Sequence, residues 1–303
     1  MDGFEGETAM SQSDLMRPRP QAIPLQGRGG EVAGLEFGPS DRPVDLVFSH
    51  ANGFNARTYR TILGPLAADF RILALDQRGH GLTRLPTVLE GRNSWAEVAE
   101  DLAAVIEALD LQGVTLAGHS MGGTASLMAS GQCPERVKAL VLFDPVIFPP
   151  EMAAALPPGQ SGASPLAQGA LKRRAEFPSK AAVIESYTGK GAFRSWSPDM
   201  LADYVEDGFH DTPQGTVELN CAPAWEASNF SSQGHDTAAA FEQSRAPAHI
   251  LKAEMGSTCR IEAREAELIA TGRYQIETVA GTSHFLPMER PDLVRQALIA
   301  AMI

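Results

Sequence analysis

LAGHSMGG, residues 116–123, joins the apolar run GVTLAGH (113–119) to a segment rich in small residues. Its centre, Gly118-His119-Ser120-Met121-Gly122, has the pattern G-x-S-x-G directly after a predicted strand and directly before a predicted helix. In that context the pattern describes a strand-to-helix turn so tight that side chains at the glycine positions would strike neighbouring backbone. The turn pushes the Ser120 hydroxyl out beyond the sheet and aims a helix N-terminus at any negative charge that develops beside it. A tight turn kept only for packing is the plainer alternative.

Outward from this turn, short apolar runs alternate with longer amphipathic ones. VDLVFSH (44–50), RILALD (71–76), GVTLAGH (113–119), VKALVLFD (137–144), AHILKAE (248–254) and YQIETVA (274–280) have the length and near-continuous hydrophobicity of strands buried on both faces. Between them, SWAEVAEDLAAVIEALDLQ (94–112) repeats apolar residues at three and four, with Ser94 and Glu97 at capping-box spacing, and RPDLVRQALIAAMI (290–303) opens with a Pro. This alternation predicts an α/β fold: a mainly parallel sheet covered by helices, with ligands at the carboxyl ends of the strands. Residues 1–30 are polar and punctuated by Pro and Gly, and read as a flexible tail. Residues 31–146 and 246–303 form the predicted core. The intervening 147–245 lack convincing buried strands but carry helical patterns and Phe193, Trp196, Phe209, Trp225 and Phe230, so they read as a helical cap inserted over the strand ends.

Composition excludes several classes. With 303 residues, 44% hydrophobic and 20% charged, the chain can bury a large core and is neither fibrous nor disordered in bulk. A formal net charge of −12 argues against a nucleic-acid partner, and the short cluster Lys172-Arg173-Arg174 reads as a solvated helix face. Cys133, Cys221 and Cys259 are odd in number and far apart, matching neither a disulfide framework nor a metal site. There is no apolar run of signal-peptide or membrane-span length, so a cytoplasmic location is expected and the sequon at Asn229 carries no meaning. Gly27–Gly30 lies too far before any helix to cradle a nucleotide, and no cofactor or metal is implied.

A serine hydroxyl needs a base, and that base needs an acid to orient it. His284 alone among seven histidines lies late in the chain, after the last predicted strand, in GTSHFLPMERP (281–291). His50 and His80 sit in tight loops after other strands and read as structural; His119 lies on the wrong side of the turn; His210, His235 and His249 have no supporting context. An oxyanion needs preorganised N–H donors. Met121 supplies one at the helix start, and HANGF (50–54), after an early strand, offers Asn52 as the second unless it is a plain Asn-Gly turn.

Together these motifs resemble the α/β-hydrolase fold family from about residue 32 to the C-terminus. HANGF stands where the family has its oxyanion loop, LDQRGHGLT (75–83) resembles its D-x-R-G-x-G-x-S loop, GHSMGG its elbow and GTSHFLPMERP its histidine loop. The resemblance implies that Asp76, Arg78, His80 and Gly81 hold loops together. In one place the chain departs from the pattern: the loop after the strand that follows the cap, KAEMGSTCR (252–260), has Gly256 where members usually carry the acid. A subset of the family takes its acid instead from the end of the strand before the cap, where this chain has Asp144 in VLFDPV (141–146). Asp144 is therefore the favoured acid. Glu254, Glu262 or no acid at all stay open, and an Asp before Pro145 is also a common turn former.

A serine at the elbow implies an acyl-enzyme rather than the alkyl ester that aspartate-bearing relatives form. The resemblance thus implies a serine hydrolase of a small, apolar carboxylic ester, with lactone or lysophospholipid-like esters among the options. Its alternatives are hydrolysis of a C–C bond in a ring-cleavage diketone and an inactive small-molecule-binding scaffold. Cap aromatics such as Trp196, Trp225 and Phe230 are candidates to line an apolar pocket, although packing explains them equally well. The oligomeric state stays open.

Overall fold

The structure, a computed structural model, describes residues 17–149 and 164–303. An eight-stranded sheet runs in the order β1-β2-β4-β3-β5-β6-β10-β11. Its strands are β1 (Arg19–Leu25), β2 (Gly30–Phe37), β3 (Leu46–Ser49), β4 (Ile72–Leu75), β5 (Val114–His119), β6 (Val137–Phe143), β10 (Ala248–Met255) and β11 (Tyr274–Ser283). From β4 to β11 every pair is parallel, whereas β1 with β2 and β2 with β4 are antiparallel. The six apolar runs all become strands of this sheet.

Alternation along the strands feeds two cores. Leu46 and Phe48, Ala117, Val141 and Phe143, and Leu251 pack on one face with Tyr59, Ile62, Leu63 and the C-terminal helix α9 (Pro291–Met302). Val47, Leu116, Leu140, Leu142 and Ile250 pack on the other, against α1 (Ala96–Ala108), α2 (Met121–Gln132), α7 (Thr237–Gln243) and α8 (Glu265–Ala270). Each strand thus presents successive side chains to opposite apolar layers, which is why its sequence reads as a continuous apolar run.

Several expectations need correction. The tail expected to reach residue 30 stops short, because Arg19–Leu25 pairs with Gly30–Phe37 as a hairpin; residues 1–16 lie outside the described residues. β1 was hidden by Pro20 and Pro24 and by its half-exposed edge position. β11 is the opposite edge, so only Tyr274, Val279 and Thr282 along it are buried. α1 is shorter than 94–112, and the capping box does not form: Ser94 Oγ accepts from Ala96 N at 3.3 Å while the Glu97 carboxylate turns to Arg92 at 2.6 Å. Arg92 offers a charged partner, which holds a carboxylate more strongly than a backbone amide does.

Between β6 and β10 the described residues hold α3 (Pro165–Leu171), α4 (Lys180–Tyr187), α5 (Pro198–Gly208), α6 (Pro223–Ser231) and α7. They also hold a small antiparallel sheet ordered β7-β9-β8, from Glu176–Phe177, Val217–Leu219 and Phe209–Asp211, in a region read as lacking convincing buried strands. Strands of two or three residues are too short to show a period. The inserted segment is tied to the core through α6. Trp225 Nε1 donates to Arg78 O (2.9 Å), Asn52 Nδ2 to Glu226 O (3.0 Å), Trp95 Nε1 to Asn229 O (3.0 Å), and Arg92 to Ser228 and Asn229.

Candidate active site

Ser120 stands between β5 and α2 with φ 56° and ψ −121°, a backbone region that non-glycine residues occupy only under strain. The steric account of its flanking glycines holds in detail. A Cβ on Gly118 would lie 2.4 Å from the Gly122 carbonyl, and one on Gly122 only 2.2 Å from Ser49 O. The Ser120 N–H donates to Phe143 O (3.0 Å), which moors the turn to the end of β6.

The structure brings together the three side chains that sequence reasoning grouped. Ser120 Oγ lies 2.9 Å from His284 Nε2, and His284 Nδ1 lies 2.6 Å from Asp144 Oδ2. They come from the ends of β5 and β6 and from the loop after β11, separated by 24 and 140 residues in the chain.

Asp144 is fully buried and itself strained, with φ 41°. Burial alone would raise its pKa. The hydrogen bond and charge of His284, followed by the bonds from Ser257 and Ala253, outweigh it and hold the carboxyl below the usual range. Oδ1 accepts from Ala253 N (2.9 Å) and the Ser257 hydroxyl, and Oδ2 accepts from Thr258 N (3.1 Å) as well as facing His284. The Thr258 hydroxyl donates to the Asp144 carbonyl at 3.0 Å. These donors all belong to the end of β10 and the loop behind it, which sequence reasoning searched only for an acid.

The rival acids are engaged elsewhere. Glu254 accepts from Gly281 N (2.9 Å), and Glu262 faces Lys252 (3.5 Å) on the surface. Gly256 has φ 64° and open space around a Cβ.

The backbone N–H groups of Asn52 and Met121 have no acceptor among the described residues, and the Asn52 and Ser120 residues line the same cavity. The Asn52 side chain is locked by α6, donating to Glu226 O and accepting from Asn229 Nδ2 (2.9 Å). His50 and His80 are loop braces. His50 Nε2 accepts from Gln77 N (2.9 Å), and His80 Nε2 accepts from Gly53 N (3.0 Å). Burial lowers the pKa of His50 well below the ordinary value and brings His80 to about 4, so both rings are neutral acceptors.

Sequence reasoning set His119 aside as unable to serve Ser120, yet its ring occupies a position of consequence. The Ala51 N–H donates to Tyr59 Oη (3.2 Å), Tyr59 Oη meets His119 Nδ1 (2.8 Å), and His119 Nε2 meets the carbonyl oxygen of His284 (2.7 Å). Burial first, then the nearby His284, pushes His119 down to about 3. The neutral ring thus accepts at Nδ1 and donates at Nε2, linking the loop of residues 50–54 to the backbone of the histidine loop. His235, also without support from sequence, is buried against the Trp95 ring at 4.6 Å.

A cavity of about 650 Å³ opens on Ser120 and His284. Phe54, Trp95, Phe148, Phe230 and Phe285 line it, so of the cap aromatics proposed as lining only Phe230 takes that place. Trp225 packs under Arg92, whose guanidinium stands 3.9 Å from the ring, and Trp196 stacks edge-on to Phe54 at 5.0 Å. Arg173 is also not part of a solvated face: it pairs with Glu226 (2.5 Å), donates to Tyr204 Oη (2.7 Å), and both members of the pair reach the cavity wall. Among the described residues no cluster of His, Cys, Asp or Glu is arranged to hold a metal ion, and no helix is long and apolar enough to cross a membrane.

The fold and this constellation define an α/β hydrolase, and the chain belongs to the Alpha/beta hydrolase family, whose model matches residues 46–297. Among curated relatives, it is 23% identical over 257 residues to 2-(acetamidomethylene)succinate hydrolase of Mesorhizobium japonicum, covering 84% of this chain and 86% of that protein. It is 35% identical to 2-hydroxy-6-oxo-2,4-heptadienoate hydrolase of Pseudomonas putida, over 39% of this chain and 42% of that protein. Some of the most similar matches are local in this way, covering between 32% and 42% of the relatives' own lengths. A crystal structure of E-2-(acetamidomethylene)succinate hydrolase superposes with a TM-score of 0.75 at 21% identity, covering 94% of this chain and 99% of that one.

Proposed function

We propose that the chain is a serine hydrolase that cleaves a small, apolar carboxylic ester through an acyl-enzyme on Ser120. The observation that carries the reading is the unbroken path from Ser120 Oγ through both ring nitrogens of His284 to Asp144. In the proposed reaction His284 Nε2 takes the hydroxyl proton as Ser120 attacks the carbonyl. Asp144 stabilises the imidazolium, and the Asn52 and Met121 amides receive the oxyanion. His284 then returns the proton to the departing alcohol. In the second half it activates a water that releases the acid and frees Ser120. Residues 147–245 act as the cap over the site in this reading, and the aromatic lining of the cavity favours an apolar group beside the reacting carbonyl.

A second reading, hydrolysis of a C–C bond, is favoured by the likeness to the 2-hydroxy-6-oxo-2,4-heptadienoate hydrolase of Pseudomonas putida. It uses the same three side chains and differs in whether a carbon or an oxygen leaves. An inactive binding scaffold draws its motive from Gly256, and the 2.6 Å contact of His284 Nδ1 with Asp144 Oδ2 counts against it.

Two measurements test the proposal. A fluorophosphonate probe followed by peptide mapping should label Ser120 stoichiometrically; folded but unlabelled protein would leave the scaffold reading standing. Product analysis on p-nitrophenyl esters and vinylogous diketones then separates the two hydrolases, with ester turnover expected. Turnover of the diketones alone would shift the assignment to C–C cleavage.

A further inference from the structure

The cavity at Ser120 has a neighbour. A second pocket of about 350 Å³ adjoins it, and Arg173, Gly191 and Ala192 line both. The two lobes differ in chemistry. The Ser120 lobe is walled by aromatic and aliphatic groups, and the one arginine that reaches it has its charge matched by Glu226. The second lobe has an aromatic lining and a cationic rim.

Phe177, Tyr187 and Phe193 form that lining, with the Tyr187 and Phe193 rings stacked at 4.7 Å and 7°. Arg174 and Lys190 join Arg173 at the rim. Arg174 is held in place: its guanidinium carbon stands 4.3 Å over the Phe177 ring, and its Nε donates to Glu176 O (2.7 Å). Among the described residues its two terminal nitrogens have no hydrogen-bond partner, and neither Arg174 nor Lys190 has a carboxylate within ion-pair distance. Most cations of this acidic chain are consumed by surrounding carboxylates, as Arg60, Arg71, Arg78 and Arg92 are. A pair of unneutralised cations beside the reacting cavity is thus a local reversal of the molecule's overall field, and such a site attracts and orients anions.

We propose that the second pocket holds an anionic oxygen group, a carboxylate or a phosphate, carried by the same substrate whose ester lies at Ser120. The substrate is then bipartite, with an apolar portion at Ser120 and a charged end between Arg174 and Lys190. This deepens the ester-hydrolase reading and rests on it.

The test compares p-nitrophenyl monoesters of the straight-chain dicarboxylic acids from succinate to suberate with uncharged monoacyl esters of matching length. The wild-type protein should favour the charged ester at one chain length by about fivefold to tenfold in kcat/KM, through KM, and sodium chloride should erode the preference. In Arg174→Ala/Lys190→Ala the ratio should fall to about one, and Arg174→Lys/Lys190→Arg should restore it. A wild-type ratio near one at every length, or an unchanged ratio in the alanine variant, overturns the inference.

Calorimetric titration of the same monoesters into the Ser120→Ala protein reads binding without turnover. Binding that weakens when Arg174→Ala/Lys190→Ala is added to Ser120→Ala, with no ester hydrolysed by the wild-type protein, would sink the hydrolase reading and keep the anion site. Equal binding of charged and uncharged esters would do the reverse. Competition by inorganic phosphate assigns the group as a phosphate, and competition by glutarate but not phosphate assigns it as a carboxylate.

Discussion

The ends of β6 and β10 lie side by side in the sheet, Leu251 opposite Phe143, and they divide one task between them. β6 ends in a carboxylate and β10 ends in donors. The Ala253 amide, the Ser257 hydroxyl and the Thr258 amide all point at Asp144, whereas the nearest acid on β10 itself, Glu254, faces outward to Gly281. A loop that lacks an acid is here the cradle for the acid of its neighbour. The lesson is that a carboxylate's competence lies as much in what holds it as in where it is attached, because an ionised group buried without donors would sooner take up a proton than stay charged.

The sharpest way to break this contrast is to alter both carboxylates in parallel. Asp144→Asn should lower kcat by about 10³ to 10⁴, since the amide can neither fix the tautomer of His284 nor stabilise its charged form. Glu254→Gln should leave kcat within about twofold, because its contact is an exposed bond that a Gln oxygen can keep. Equal losses in the two variants would dissolve the distinction between the strand ends.

Between these extremes lies the cradle. Ser257→Ala removes one donor and leaves the two amides and His284 in place, so kcat should fall by about threefold to tenfold, with stability lowered by about 1 kcal/mol. Steady-state kinetics and a urea melt read both effects. A loss as large as that of Asp144→Asn would mean that Ser257 acts on the substrate and not on the acid.

Acidification offers a further check. A carboxyl whose folded pKa lies below the unfolded one contributes stability that is fully present above the ordinary carboxylate value, near 4, and is lost as pH falls through the lower folded value. The stability gap between wild type and Asp144→Asn should therefore be constant from neutral pH down to about 4 and close below it. Wild-type stability should already fall between about pH 6.5 and 4. There the unfolded chain binds protons that the buried rings of His80 and His235, both near 4, and His119, near 3, refuse. Asp76, raised by burial to about 7, and Asp203, also raised by burial, work the other way over this window, yet they are two groups against five lowered rings once His50 and His249 are counted. Thermal melts across this range read both trends, and a flat profile would contradict the neutral state of the rings.

How far the sequence reveals these features depends on whether their cause is local. The parallel strands are legible because burial on two faces leaves a run of apolar residues, and the elbow is legible because its glycines answer to contacts within the turn and the strand beside it. Ser120 and His284 are legible from the elbow and from the loop after the last predicted strand, whereas Asp144 is favoured only through the family resemblance, with Glu254 and Glu262 left open until the structure sets Asp144 beside His284. Hidden features have distant causes. Ser257 and Thr258 gain meaning only from the adjacency of β10 and β6, and the link from Tyr59 through His119 to His284 joins three separate segments of the chain. Arg173 looks like its two basic neighbours until the fold turns it toward Glu226.

The bonds that fasten α6 to the core bear on how a ligand gets in. With Trp225, Glu226 and Asn229 each gripped by residues of the central unit, this helix is a doorpost rather than a door. Its amides should exchange with deuterium as slowly as those of β5, and whatever traffic the cavity admits has to pass around it.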